Sequence, residues 1–96
     1  MLFSILYEGI VKMPNKNEIF EKVKKIISEE SDIDEDDIKI KSSLVSDLEI
    51  DSIDRIGILQ AIEIEFDLER IEDDVFHKLL TVENIVKYID EQINRH

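Results

Sequence analysis

Ser52 has the chemically richest setting in the chain. It stands in the run Asp47-Leu48-Glu49-Ile50-Asp51-Ser52-Ile53-Asp54, at the head of an apolar stretch with helical spacing. A hydrolase serine needs a positioned general base, and the chain offers no histidine–aspartate pair to act as one. The plainer reading is helix-start chemistry. Asp51 is the N-cap, Asp54 three residues on makes a capping-box variant, and Ser52 is the first helical residue. Taken alone, these four residues favour capping. A cap and a functional serine are compatible, because the cap fixes the position of the residue that follows it.

Other clusters promise less. Asp32-x-Asp34-x-Asp36 has the alternation of a calcium loop, but the glycine and closing glutamate such a loop requires are here Asp37 and Ser43. Clustered acids of this kind attract divalent cations loosely, and no metal site is expected. The pair Asp73-Asp74 has no apolar pocket or basic partner to tune a general acid and belongs to a solvated surface. His77 and His96 are too far apart in sequence to indicate a site, and His77 is assigned to helix-end or surface chemistry. The chain has no cysteine, which excludes disulfides, thiolate catalysis and cysteine-bound zinc and fits a reducing compartment. No catalytic residue is expected among these clusters.

The elements that must position Ser52 follow from hydrophobic periodicity. Ninety-six residues make one domain, and 43% hydrophobic content suffices for one compact core. Eighteen isoleucines make that core largely aliphatic and β-branched, while two glycines and one proline leave little material for the turns of a many-stranded sheet. Met13-Pro14 divides the chain. Residues 1–13 are expected to be a flexible or loosely packed extension with no part in the main activity, and 14–96 a helical bundle. The opening apolar stretch has no basic flank and no small-residue cleavage site, so a signal peptide fits poorly.

A first helix is expected from about Lys16 to Glu30, with Ile19, Val23, Ile26 and Ile27 inward, Phe20 widening the stripe, and Asn15 with Glu18 as a capping pair. Glu18–Lys22 and Glu21–Lys25 are expected to support its outer face. Ser31 to Ile50 is a long loop, pinned to the core by Ile33, Ile38, Ile40, Leu44, Val45 and Leu48; loops of this length are often functional. A second helix from Ser52 to Phe66 has Ile53, Ile56, Ile58, Leu59, Ile62 and Phe66 over more than half its circumference, which predicts a central helix packed on several sides. Its outward strip would hold Asp54, Gly57, Ala61, Ile64 and Glu65. A short third helix is expected around Glu72 to His77, with Ile71, Val75 and Phe76 inward. A fourth runs from Val82 to Ile93 with Thr81 as N-cap. The fold class is all-α: a four-helix bundle with a short third helix and a long loop between the first two.

Within that frame the segment Asp47–Asp54 resembles the phosphopantetheine attachment motif of the acyl carrier proteins. The resemblance continues through Glu63-Ile64-Glu65-Phe66-Asp67 to Thr81-Val82 and spans roughly residues 16 to 94. It implies that Ser52 carries a covalent 4′-phosphopantetheine arm derived from coenzyme A and attached by a separate Mg²⁺-dependent phosphopantetheinyl transferase. It further implies a carrier of acyl groups as thioesters in fatty-acid or related lipid biosynthesis, with the bundle interior sheltering the cargo. A phosphodiester at the first turn of a helix would be favoured by free N–H groups and the positive helix end.

The same resemblance implies docking of basic enzyme surfaces along the second helix, for which Asp51, Asp54, Glu63 and Glu65 match the pattern. Arg55, Gly57 and Ile64 depart from it, Arg55 by placing a cation beside the serine and the other two by replacing acid. Glu49 stands where glycine is common. A specialised carrier for polyketide or peptide synthesis and an unmodified acidic helical adaptor are the alternatives. The net charge of −12 argues against nucleic acid and anionic membrane and favours encounter with basic partners. No segment has the roughly 20 apolar residues of a membrane span. The expected protein is a cytoplasmic monomer.

Overall fold

The computed structural model describes residues 14–94, and the expected extension over residues 1–13 lies outside them. Among the described residues there are four helices, α1 (Lys16–Ser31), α2 (Ser52–Glu65), α3 (Asp73–Phe76) and α4 (Val82–Ile93), with one 3-10 turn at Glu35–Asp37 in the long loop. The all-α expectation holds: β-pairing among the described residues is limited to an isolated antiparallel bridge between Ser43 and Thr81.

The first helix starts where its sequence directs. Asn15 accepts from the Glu18 N–H at 2.9 Å, and Glu18 returns a carboxylate oxygen to the Asn15 N–H at 2.9 Å. Ile19, Val23, Ile26 and Ile27 are buried as expected. The expected i,i+4 ion pairs are replaced by others. Glu18 is engaged in the cap, Glu21 pairs with Lys24 at 3.2 Å, and Lys22 reaches across to Glu65 at the end of α2, 3.0 Å away. Lys24 also lies 4.8 Å from the Phe20 ring centre. A bundle partner within reach thus competes with the local pairing that periodicity predicts.

The second helix departs further. Only Ile58, Leu59 and Ile62 of α2 are buried, whereas Ile53 is 77% and Ile56 45% exposed. An apolar circumference shows what could be buried. The arc that is buried is set by the neighbours, and α1 covers one side of α2 only.

The long loop is a packed part of the fold. Ile38, Leu44 and Ile50 are buried, and Ile33, Ile40 and Leu48 pack against the core, while the expected pin Val45 is 57% exposed. The alternating aspartates take separate parts in the backbone of the loop. Asp32 is the left-handed C-cap of α1, at φ 57°, and Asp34 accepts from the Asp36 N–H to start the 3-10 turn.

The loop is stitched to α4 by two backbone bonds, Leu44 N–H to Leu80 O and Val82 N–H to Ser42 O, each 3.0 Å. Thr81 caps α4 in a box with Asn84, and Val82, Ile85, Val86 and Ile89 close the core against α1. Lys41 adds an exposed ion pair with Glu83 at 3.0 Å. The hydrogen bond and charge of Lys41 lower the Glu83 pKa below the ordinary glutamate range. Its stabilising effect is therefore present at neutral pH and is lost as pH falls from that ordinary range through the lowered value. Lys41→Met should move the Glu83 carboxyl titration, followed by NMR, up towards the ordinary range; an unmoved titration would exclude the pair as the cause.

Candidate functional site

The approach to Ser52 is built from backbone bonds folded back on Ser43. Ser43 N–H donates to the Asp47 carboxylate at 2.7 Å, and the N–H groups of Asp47 and Leu48 both donate to Ser43 O at 3.1 Å. Ser46 N–H donates to Ser43 Oγ at 3.1 Å, and Ile50 N–H closes the segment on Leu44 O at 2.9 Å. Asp47, first in the motif, thus serves to fold the loop, a role that its sequence context does not disclose.

Between these anchors Glu49 takes a left-handed φ of 54°. A side chain there costs about 1 kcal/mol that glycine avoids. Glu49→Gly should therefore raise stability by about 0.5–1 kcal/mol, partly offset by the greater freedom of the unfolded chain. Urea unfolding measures it directly, and a lowered midpoint would show that the Glu49 side chain itself stabilises the turn.

Asp51 then caps α2, its carboxylate accepting from Asp54 N–H at 2.8 Å while its carbonyl accepts from Arg55 N–H at 3.0 Å. Ser52 follows as the first helical residue, with its side chain exposed. The N–H groups of Ser52 and Ile53 have no partner among the described residues, so two donors at the positive end of a fourteen-residue helix remain available. This is a rigid, open hydroxyl beside a small anion-favouring surface. Among the described residues no side chain is hydrogen-bonded to the Ser52 hydroxyl, which leaves it free for a second protein to reach.

The other residues singled out in the sequence fall into separate surroundings. Asp54 and Arg55 are half-buried. The Arg55 guanidinium lies 4.7 Å from the centre of the Phe76 ring on α3, and its Nε is buried without a hydrogen-bond partner. Glu63 accepts from Ile71 N–H at 2.7 Å, tying the end of α2 to the segment before α3. Glu65 holds Lys22. Gly57, expected on the outward strip, faces α1 instead: a Cβ there would lie 3.3 Å from Glu30 Oε1. Ile64 is fully outward at 82% exposure.

Beside Ser52 the open face of α2 is therefore apolar, carried by Ile53, Ile56 and Ile64, with Gln60 between them. Periodicity assigns Ile53 and Ile56 to the core; that they stay outside it while Ile58, Leu59 and Ile62 are buried is visible only once α1 is in place. Next to Ile56 an open cleft of about 440 Å³ runs between α2 and α3, with Leu59, Ile71 and Phe76 as its apolar wall. His77 stands at its edge, at the C-terminus of α3, and meets the Phe76 ring edge-on.

The family described as "Phosphopantetheine attachment site" matches residues 21–89. Among curated proteins, the acyl carrier protein of Petrotoga mobilis is 40% identical over 79 residues, covering 82% of this chain and 92% of its own. The acyl carrier protein of a Picosynechococcus species is 43% identical over 75 residues, covering 78% and 91%. That of Campylobacter lari is 40% identical over 72 residues, covering 75% and 92%.

Proposed function

The chain belongs to the acyl carrier proteins, and we propose that Ser52 is the residue on which its covalent phosphopantetheine arm is carried. The observation that supports this assignment is an exposed serine held at the first turn of α2 by the Asp51 cap, with two unpaired N–H groups beside it. Those residues fit the group: the hydroxyl is open to a second protein, and the helix end favours the phosphodiester. When bound, the arm supplies a terminal thiol that holds an acyl group as a thioester. The protein is a carrier and not an enzyme, so its own residues present and orient. In loading, the Ser52 hydroxyl attacks the pantetheine-linked phosphorus of coenzyme A. The nucleotide part leaves with the bonding electrons, and the hydroxyl proton passes to the transferase, which also provides the Mg²⁺.

We place the carrier in fatty-acid biosynthesis, acting as a cytoplasmic monomer on acyl cargo. Similarity to proteins named acyl carrier protein supports that over a polyketide or peptide role, and the family match disfavours an unmodified adaptor. Among the described residues no helix is long and apolar enough to cross a membrane. Partner enzymes would meet the open face of α2 at Ile53, Ile56 and Ile64, with Asp51, Asp54 and Glu65 supplying negative charge at its edges; exposed apolar patches rimmed by polar groups mark such contacts. Glu63 keeps its charge while accepting from Ile71 N–H and lines the cleft beside this face, and Gly57 lies towards α1.

Incubation with coenzyme A and a broad-specificity phosphopantetheinyl transferase should add the mass of one phosphopantetheine group, mapped to the peptide containing Ser52. No gain under conditions that modify a control carrier would overturn the assignment.

A further inference from the structure

Arg55 is the only basic residue between Lys41 and Arg70, and it lies three positions after Ser52 in a stretch that also contains Asp47, Glu49, Asp51 and Asp54. Residues so spaced on a helix are surface neighbours, and a helical side chain leans towards the preceding turn. Its guanidinium nevertheless turns aside to α3 and stacks on Phe76, 4.7 Å from the ring centre. That position leaves Nε buried with no acceptor. An arginine offers five donors in a planar fork suited to phosphate oxygens, and such charge-assisted pairs are stronger than a ring contact. α3 is a poorly secured place for the other half of the stack. It has four residues, none of them buried, and its N-cap Glu72 makes no side-chain capping bond.

We propose that Arg55 has two positions, stacked on Phe76 while Ser52 carries a free hydroxyl and paired with the phosphodiester once the arm is attached, so that attachment releases Phe76 and loosens α3 along the cleft. The proposal rests on Ser52 being the attachment point. A new anion beside Asp51 and Asp54 meets two like charges as well as the free N–H groups of the helix end, and Arg55 is the cation within a helical turn that offsets that repulsion. Pairing also provides an acceptor for the Nε donor that the stack leaves unmet. Because Phe76 and Ile71 wall the cleft beside Ile56, freeing the Phe76 ring changes how open that cleft is.

The test compares unloaded and loaded protein by NMR and backbone hydrogen exchange, in the wild type and in Arg55→Gln. Loading the wild type should shift the Arg55 Nε–H resonance and the Phe76 ring protons, and should speed exchange of the His77, Lys78 and Leu79 amides several-fold. Those three N–H groups bond to Asp73, Val75 and Phe76 carbonyls and so report on α3. Arg55→Gln should exchange fast at these amides before loading and change little on loading. Ser52→Glu, with a carboxylate in place of the arm, should move the same resonances in the same direction without any transferase. A confirmed mass gain with Arg55 and α3 signals unmoved would overturn the pairing alone, as would a loading response kept intact in Arg55→Gln. Absence of any mass gain on Ser52 would overturn both the pairing and the attachment on which it rests.

Discussion

Ser52→Ala should abolish loading altogether while leaving the stability of the fold within about 0.5 kcal/mol of the wild type. The two halves of this expectation have separate causes. Loading needs an oxygen nucleophile at this position, and alanine has none; the neighbouring Ser46 and Ser43 are held in the loop, where Ser43 Oγ already accepts from Ser46 N–H. Stability is indifferent because the Ser52 side chain is exposed and caps nothing: Asp51 accepts the N–H bond that starts α2. Asp51→Ala is the informative contrast, expected to cost about 1 kcal/mol through the lost cap while keeping the serine. Intact mass after transferase treatment reads the first effect, and urea unfolding reads the second. If Ser52→Ala were still loaded, another hydroxyl would be the attachment point. If it unfolded as readily as Asp51→Ala, the serine would be part of the cap.

Caps of this kind are legible in the amino-acid sequence because they are local. Asn15 with Glu18, Asp51 with Asp54 N–H, and Thr81 at the head of α4 can each be read from neighbouring residues, and each forms. That Ser52 is the first helical residue is legible for the same reason; its reading as the attachment point rests instead on the resemblance that runs from residue 16 to 94. Features that depend on which neighbour arrives are not legible. Ile53 and Ile56 are as apolar as Ile58 and Ile62, but α1 approaches from one side, and the first pair stays in solvent. Lys22 has Glu18 four residues before it, yet pairs with Glu65, forty-three residues away. Gly57 on the helix wheel belongs to the outer strip; the end of α1 puts the Glu30 carboxylate beside it. The left-handed turns at Asp32, Glu49 and Asp67 sit on acidic residues, of which aspartate tolerates that conformation better than glutamate. Glu49 is the position where local preference and fold disagree, and it lies directly on the approach to Ser52.

Leu44→Ala should lower stability by about 3 kcal/mol, a helix-core cost arising from a loop residue. The Leu44 side chain is fully buried, at 0% exposure, and its backbone is bonded on both sides, N–H to Leu80 O and carbonyl from Ile50 N–H. Those bonds fix the backbone, so the surroundings cannot close readily over the space that a truncated side chain would leave, and the lost contacts are not recovered. The next residue provides the control. Val45 is 57% exposed, and Val45→Ala should change stability by less than about 0.5 kcal/mol. In a domain of this size the larger figure is a substantial part of the total, and the Leu44→Ala midpoint in urea should fall far below that of Val45→Ala. The same truncation should raise hydrogen exchange at Ile50 N–H, whose acceptor is Leu44 O, because loosening there frees the chain that delivers Asp51 and Ser52 to the head of α2. Equal costs for the two substitutions would mean that the loop lies on the core without being held by it. Ser52 would then owe its position to α2 and the Asp51 cap alone.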